Sequence, residues 1–123
     1  MSKEQALLFD IHGTLLDKKG NINKNLYEMV RCLSDEYYIL LITASKYANQ
    51  HEFMKDIENL LDIGDGYYYN HTNYKDDGEI KKFIYEHQIK LTYEVCAIID
   101  NNKDVIKEFR KIGIDTLRFK GHQ

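Results

Sequence analysis

The chain has 123 residues with 17 basic and 20 acidic side chains, a formal charge of -3 and a pI near 5.9. That length suits one domain with a single core and leaves no room for a second folded unit of ordinary size. The acidic balance does not resemble the strongly basic footprint of a protein that binds nucleic acid mainly through phosphate neutralisation, and it leaves room for contact with a nucleic-acid end. No apolar stretch approaches membrane-spanning length, and Met1 to Gln5 lead into an apolar run without a signal-peptide pattern. Cys32 and Cys96 lack zinc-ligand spacing and are expected to be reduced thiols, so the expected location is the cytoplasm.

In chain order, Ala6-Leu7-Leu8-Phe9 predicts a buried strand that delivers Asp10 to its end. Gly13 then allows a turn, and Asp17 to Asn21 reads as a second one. Asn23 is a candidate N-cap for a helix running to about Asp35, with Leu26, Met29, Val30 and Leu33 as its apolar face. Tyr38 to Ile42 predicts a second strand that runs into Thr43, and Phe53, Ile57, Leu60 and Leu61 mark the apolar side of the following helix.

Tyr67-Tyr68-Tyr69 reads as a short strand with one ring turned inward. Asp76-Asp77 introduces a helix carrying Ile80, Phe83 and Ile84. Val95 to Ile99 is a further apolar strand, ending on Asp100. Lys103 to Ile112 predicts the last helix, Gly113 its stop, and Asp115 to Phe119 a final strand. Strand and helix patterns alternate throughout, which predicts an α/β, Rossmann-like three-layer sandwich with a five-stranded parallel sheet, one domain over residues 1–123.

Three apolar strands thus each deliver a polar residue to the carboxyl end: Asp10, Thr43 and Asp100. Open parallel sheets bind ligands outside those ends, where the strand order reverses, so the three are expected to converge. A carboxylate there can serve as nucleophile or metal ligand. The Thr14 hydroxyl and the backbone N–H groups of the turn at Gly13 suit a tetrahedral phosphoryl group, whose oxygens need several donors.

These residues resemble the haloacid dehalogenase superfamily of phosphohydrolases from Asp10 to about Asp104. Its pattern is Asp-x-Asp-x-Thr after the first strand, Thr or Ser after the second, a Lys near the start of a later helix, and acidic residues after the fourth strand. Lys75-Asp76-Asp77 through Lys81, and Ile98-Ile99-Asp100 through Gly113, resemble more narrowly the phosphatase half of phage polynucleotide kinase-phosphatases.

The resemblance implies that Asp10 attacks phosphorus to form an aspartyl-phosphate, which water then hydrolyses. It implies Mg²⁺ held by Asp10, the His12 carbonyl and Asp100, supported by Asn101 or Asp104. Thr43, with Ala44 and Ser45 beside it, would bind phosphoryl oxygens, as would Gly13 and Thr14. Lys81 would offset charge, with Asp77 orienting it; Lys75 and Lys82 are the competing lysines. The segments from Leu15 to Asn23 and from Asn70 to Asp76 are too short for a cap domain, so the site should be open to a phosphorylated macromolecule such as a nucleic-acid end or a protein.

The chain departs from the pattern at His12, where the family's phosphatases usually carry a second Asp that protonates the leaving group and activates water. Such a group contributes ~10² to 10⁴-fold. Imidazole, with an ordinary pKa of ~6.5, can assume the role but is larger and, if charged, repels a metal. Ser45-Lys46 also replaces an Arg that clamps phosphate, and Asn101 replaces an Asp. Two readings follow: a Mg²⁺-dependent phosphomonoesterase, or a catalytically impaired phosphate-binding or protein-interaction module.

Overall fold

The computed structural model describes residues 3–120. Strands β1 (Glu4–Asp10), β2 (Tyr38–Lys46), β3 (Gly66–Asn70), β4 (Tyr93–Asp100) and β5 (Asp115–Arg118) form one sheet in the order β3-β2-β1-β4-β5, and every pairing is parallel. Helices α1 (Lys24–Leu33), α2 (Gln50–Asp56), α3 (Asp77–Ile84) and α4 (Lys103–Lys111) connect them. The predicted α/β sandwich is therefore the observed one.

Alternation along β1 creates the two core layers. Leu7 and Phe9 pack with Leu26 and Val30 of α1 and with Phe53 of α2. Ala6 and Leu8 pack with Ile80 and Ile84 of α3 and with Val105 and Phe109 of α4. A strand buried on both faces needs this continuous apolar run, and β1 and β2 both have one. In β4 a bulge interrupts the period: Ala6 pairs with Val95 but Leu7 pairs with Ala97. The extra residue, Cys96, puts Val95 and Ile98 on the same face although they are three apart.

Helix starts follow the expected chemistry. Asn23 caps α1 through Leu26 N–H, Asp76 caps α3 through Glu79 N–H, and Asn102 caps α4 through Asp104 and Val105 N–H. Gly113 ends α4 at φ +82°, a left-handed conformation that glycine adopts without a Cβ clash.

Several expectations are corrected. Met29 and Leu61 are exposed, not on the buried faces assigned to them. The helix predicted through Leu61 breaks after Asp56 into a 3₁₀ turn, Glu58–Leu60, which turns Leu61 outward. After Ile84 the helix widens into a π-helical turn, Tyr85–Ile89, that periodicity did not anticipate. β2 continues through Thr43 to Lys46, and β5 stops before Phe119. Among the tyrosines, Tyr69 is the buried ring, while Tyr67 and Tyr68 are half-buried against opposite core layers.

Candidate active site

The order reversal lies at β1, which has β2 on one side and β4 on the other, so the carboxyl ends of these three strands adjoin. Asp10, the last residue of β1, and Asp100, the last of β4, are both buried. Lys81 reaches between them from α3: its ammonium donates to Asp10 Oδ1 at 2.6 Å and to Asp100 Oδ2 at 2.6 Å. The other carboxylate oxygens are also engaged. Thr14 Oγ1 donates to Asp10 Oδ2 at 2.7 Å, and the Asn102 N–H donates to Asp100 Oδ1 at 2.9 Å. Lys75 and Lys82 take no part in this arrangement, which selects Lys81 among the competing lysines.

Burial pushes Asp10 up to about 6 from an ordinary 3.8; Lys81 opposes that rise and Asp100 adds to it. Burial alone would pull the Lys81 ammonium down, but Asp10 and Asp100 outweigh it and hold the group above its usual value. With both carboxylates ionised the three groups carry one net negative charge.

His12 occupies the position of the expected acid/base. Its Nδ1 lies 2.8 Å from Thr43 Oγ1 and its Nε2 lies 3.3 Å from Asp56 Oδ2. The Tyr47 hydroxyl donates to the same Asp56 oxygen at 2.5 Å, and burial followed by that bond holds its phenol above the ordinary range. An ionised carboxylate only accepts, so the network assigns a proton to Nε2. In the neutral imidazole Nδ1 then accepts from the Thr43 hydroxyl, whose oxygen accepts the Ser45 N–H at 3.1 Å. The result is a carboxylate–imidazole–hydroxyl chain. Asp56 and Tyr47 were not legible as site residues, because nothing in their spacing from His12 marks them; α2 brings Asp56 over the strand ends.

Of the predicted residues, Asp10, His12, Thr43, Ala44, Ser45, Asp77, Lys81 and Asp100 line one hollow of about 70 Å³, the space of a few waters. Asn101 lines it as well. Three expectations are corrected. Thr14 is fully buried behind Asp10, where its hydroxyl orients that carboxylate, and does not line the hollow. The Gly13 N–H donates to the Leu16 carbonyl at 2.7 Å and is thus spent within the turn. Asp77 does not orient Lys81; its Oδ2 accepts from Asn102 Nδ2 at 3.2 Å, tying α3 to the start of α4. Asp104 is exposed and outside the hollow, which leaves Asn101 as the neighbour of the acidic pair.

Gly13 is required twice over. Its φ is +90°, and a Cβ there would sit 2.5 Å from Asn101 Nδ2, so the turn closes directly onto the loop after β4.

The donor set fits Mg²⁺. It offers two carboxylates and, at the turn, the His12 carbonyl, which accepts no hydrogen bond among the described residues. These are hard oxygen donors, and Mg²⁺ is commonly held by one or two carboxylates with water and phosphate completing its shell. Among the described residues no cluster of three or more His, Cys, Asp or Glu forms an all-protein cage.

A parallel α/β sheet whose central strand ends on a buried Asp, beside Thr43, Lys81 and Asp100, defines a haloacid dehalogenase-type phosphatase. Residues 4–121 match the family model of the polynucleotide kinase PNKP phosphatase domain, and the chain belongs to that family. Among solved structures, a chain of a Pnkp1/Rnl/Hen1 complex superposes with a TM-score of 0.84 at 18% identity, covering 100% of this chain and 48% of its own. A chain of the Pnkp1/Rnl/Hen1 RNA repair complex gives 0.81 at 19%, covering 97% and 43%. At such identities these likenesses speak to the fold alone, and this chain spans less than half the length of either. No curated protein matches the sequence.

Proposed function

We propose that this phosphatase is a Mg²⁺-dependent phosphomonoesterase that works through an aspartyl-phosphate and removes phosphate from nucleic-acid ends. The observation that carries the reading is the Lys81 ammonium bridging Asp10 and Asp100 in a hollow open toward solvent. Asp10 attacks phosphorus as the bond to the leaving oxygen breaks, and protonated His12 gives that oxygen its Nδ1 proton. Neutral His12 next takes a proton from the water that attacks phosphorus, the bond to Asp10 breaks, and phosphate leaves. Thr43 turns its hydroxyl from His12 to a phosphoryl oxygen, while Lys81 offsets charge on the nucleophile. Asp10, Asp100 and the His12 carbonyl would hold Mg²⁺, which when bound would add compensation for phosphoryl charge.

Three observations support a macromolecular substrate: the family itself, the RNA repair complex containing one similar chain, and the short connections over residues 11–23 and 71–76 that leave the hollow uncovered. Cytoplasmic location is proposed on the free thiols of Cys32 and Cys96. No helix among the described residues is long and apolar enough to cross a membrane.

The test is phosphate release from an aryl phosphate and a 3′-phosphorylated oligonucleotide, with and without Mg²⁺, by the protein, Asp10→Asn and His12→Asp. Metal-dependent activity on the oligonucleotide that vanishes in Asp10→Asn is the expected result. Activity confined to His12→Asp would instead identify a phosphate-binding module.

A further inference from the structure

Five cations gather beside the site although the protein is acidic. Lys103, Lys107, Arg110, Lys111 and Arg118 surround a groove of about 550 Å³ whose floor includes Ile106, and no acidic side chain lines it among the described residues. Helical spacing creates the stripe: Lys103, Lys107 and Lys111 recur every four residues, ~6 Å apart along α4. The acidic residues of the same helix lie one position around it, toward α3, where Asp104 and Glu108 back onto Gly78. Glu108 pairs with Lys111 at 3.3 Å, an exposed contact that a phosphate can replace.

This groove adjoins the active site through two of its residues. Arg118 pairs with Asp100 across β4 and β5, and its Nε donates to the Asn101 carbonyl at 3.3 Å. Lys103 opens α4 directly after Asn101 and Asn102, both of which border the hollow. The stripe therefore leads from the rim of the catalytic hollow along α4, stepping by about the separation of successive phosphates in an extended strand.

We infer that the α4–β5 groove is the track for the phosphodiester backbone of a nucleic-acid strand whose phosphorylated end enters the hollow, an inference that rests on the nucleic-acid reading above. Charge complementarity commits it to a polyanion. Since the contacts lie outside the hollow, they act on the strand and not on the phosphomonoester itself.

The experiment neutralises Lys103, Lys107 and Lys111 together as glutamines, leaving Arg110 bonded to Thr116 and Arg118 bonded to Asn101. Relative to the unaltered protein, KM for a 3′-phosphorylated oligonucleotide should rise about tenfold, and the logarithmic salt dependence of binding should flatten by about 2, as expected for three lost contacts to a single strand. Activity on an aryl phosphate should not change. Binding of an unphosphorylated oligonucleotide, followed by fluorescence anisotropy, separates the two readings. Binding that the lysine variant loses supports the track even if no oligonucleotide phosphate is released, the outcome that defeats the substrate reading. Oligonucleotide hydrolysis or binding with the same KM, affinity and salt slope in the variant overturns the track, as does absence of strand binding by the unaltered protein.

Discussion

Lys81 is 2% exposed and still charged, a state that is costly without an anionic partner. Removing its ammonium in Lys81→Met leaves Asp10 and Asp100 facing each other unpaired, and the expected loss of stability is ~3–5 kcal/mol, measured by urea unfolding in the absence of metal. Asp10→Asn has the opposite sign. The folded protein holds the Asp10 proton more tightly than the unfolded chain does, about 6 against 3.8. Its contribution to stability is therefore present in full below pH 3.8 and is lost as pH rises through about 6. At neutral pH Asp10→Asn should abolish turnover yet raise Tm, by an amount corresponding to about 1–2 kcal/mol, and should flatten the decline of Tm across that pH window. Calorimetry of the metal-free proteins checks both. Asp56→Asn addresses the His12 chain: it replaces the acceptor-only carboxylate that selects the Nε2 proton with an amide that can also donate. Turnover should fall about tenfold with KM unchanged, within the range expected for impaired acid–base catalysis, and the His12 ¹⁵N shifts should report a changed tautomer ratio.

At the scale of elements, agreement between pattern and structure follows burial. β1 and β2 are apolar on both faces, and a run buried in that way reads plainly in sequence. The N-cap at Asn23 and the helix start at Asp76-Asp77 were equally legible, because each cap bonds only to an N–H group three residues on. Met29, Leu61 and the turn at Tyr85–Ile89 were not. Met29 obeys helical spacing but stays exposed among the described residues, and Leu61 follows the break of α2 into a 3₁₀ turn. Gly78 marks a contact no periodicity predicts: a Cβ there would lie 2.7 Å from the Asp104 carbonyl oxygen of α4. Gly78→Ala should therefore force α3 and α4 apart and cost about 1–3 kcal/mol, visible as a lower Tm despite alanine's better helix propensity.

Considered as a whole molecule, the protein combines a small catalytic hollow with a basic stripe on a chain of net charge -3. Its sequence by itself determined the alternation of strands and helices, the strand ends that carry Asp10, Thr43 and Asp100, and Lys81 as one of a few candidate lysines. Hydrophobic runs, caps and turn residues act within about one helical turn, so they are readable without knowing what lies across the fold. Tertiary structure decided the remainder. It chose Lys81 over Lys75 and Lys82 by burying its ammonium between two carboxylates, turned Thr14 behind Asp10, and set Asp56 and Tyr47, 44 and 35 residues along the chain, against His12. It also aligned Arg118 beside Asp100, at the head of the lysine stripe. These are contacts between residues far apart in sequence, and their energies depend on burial and approach, which no local pattern encodes.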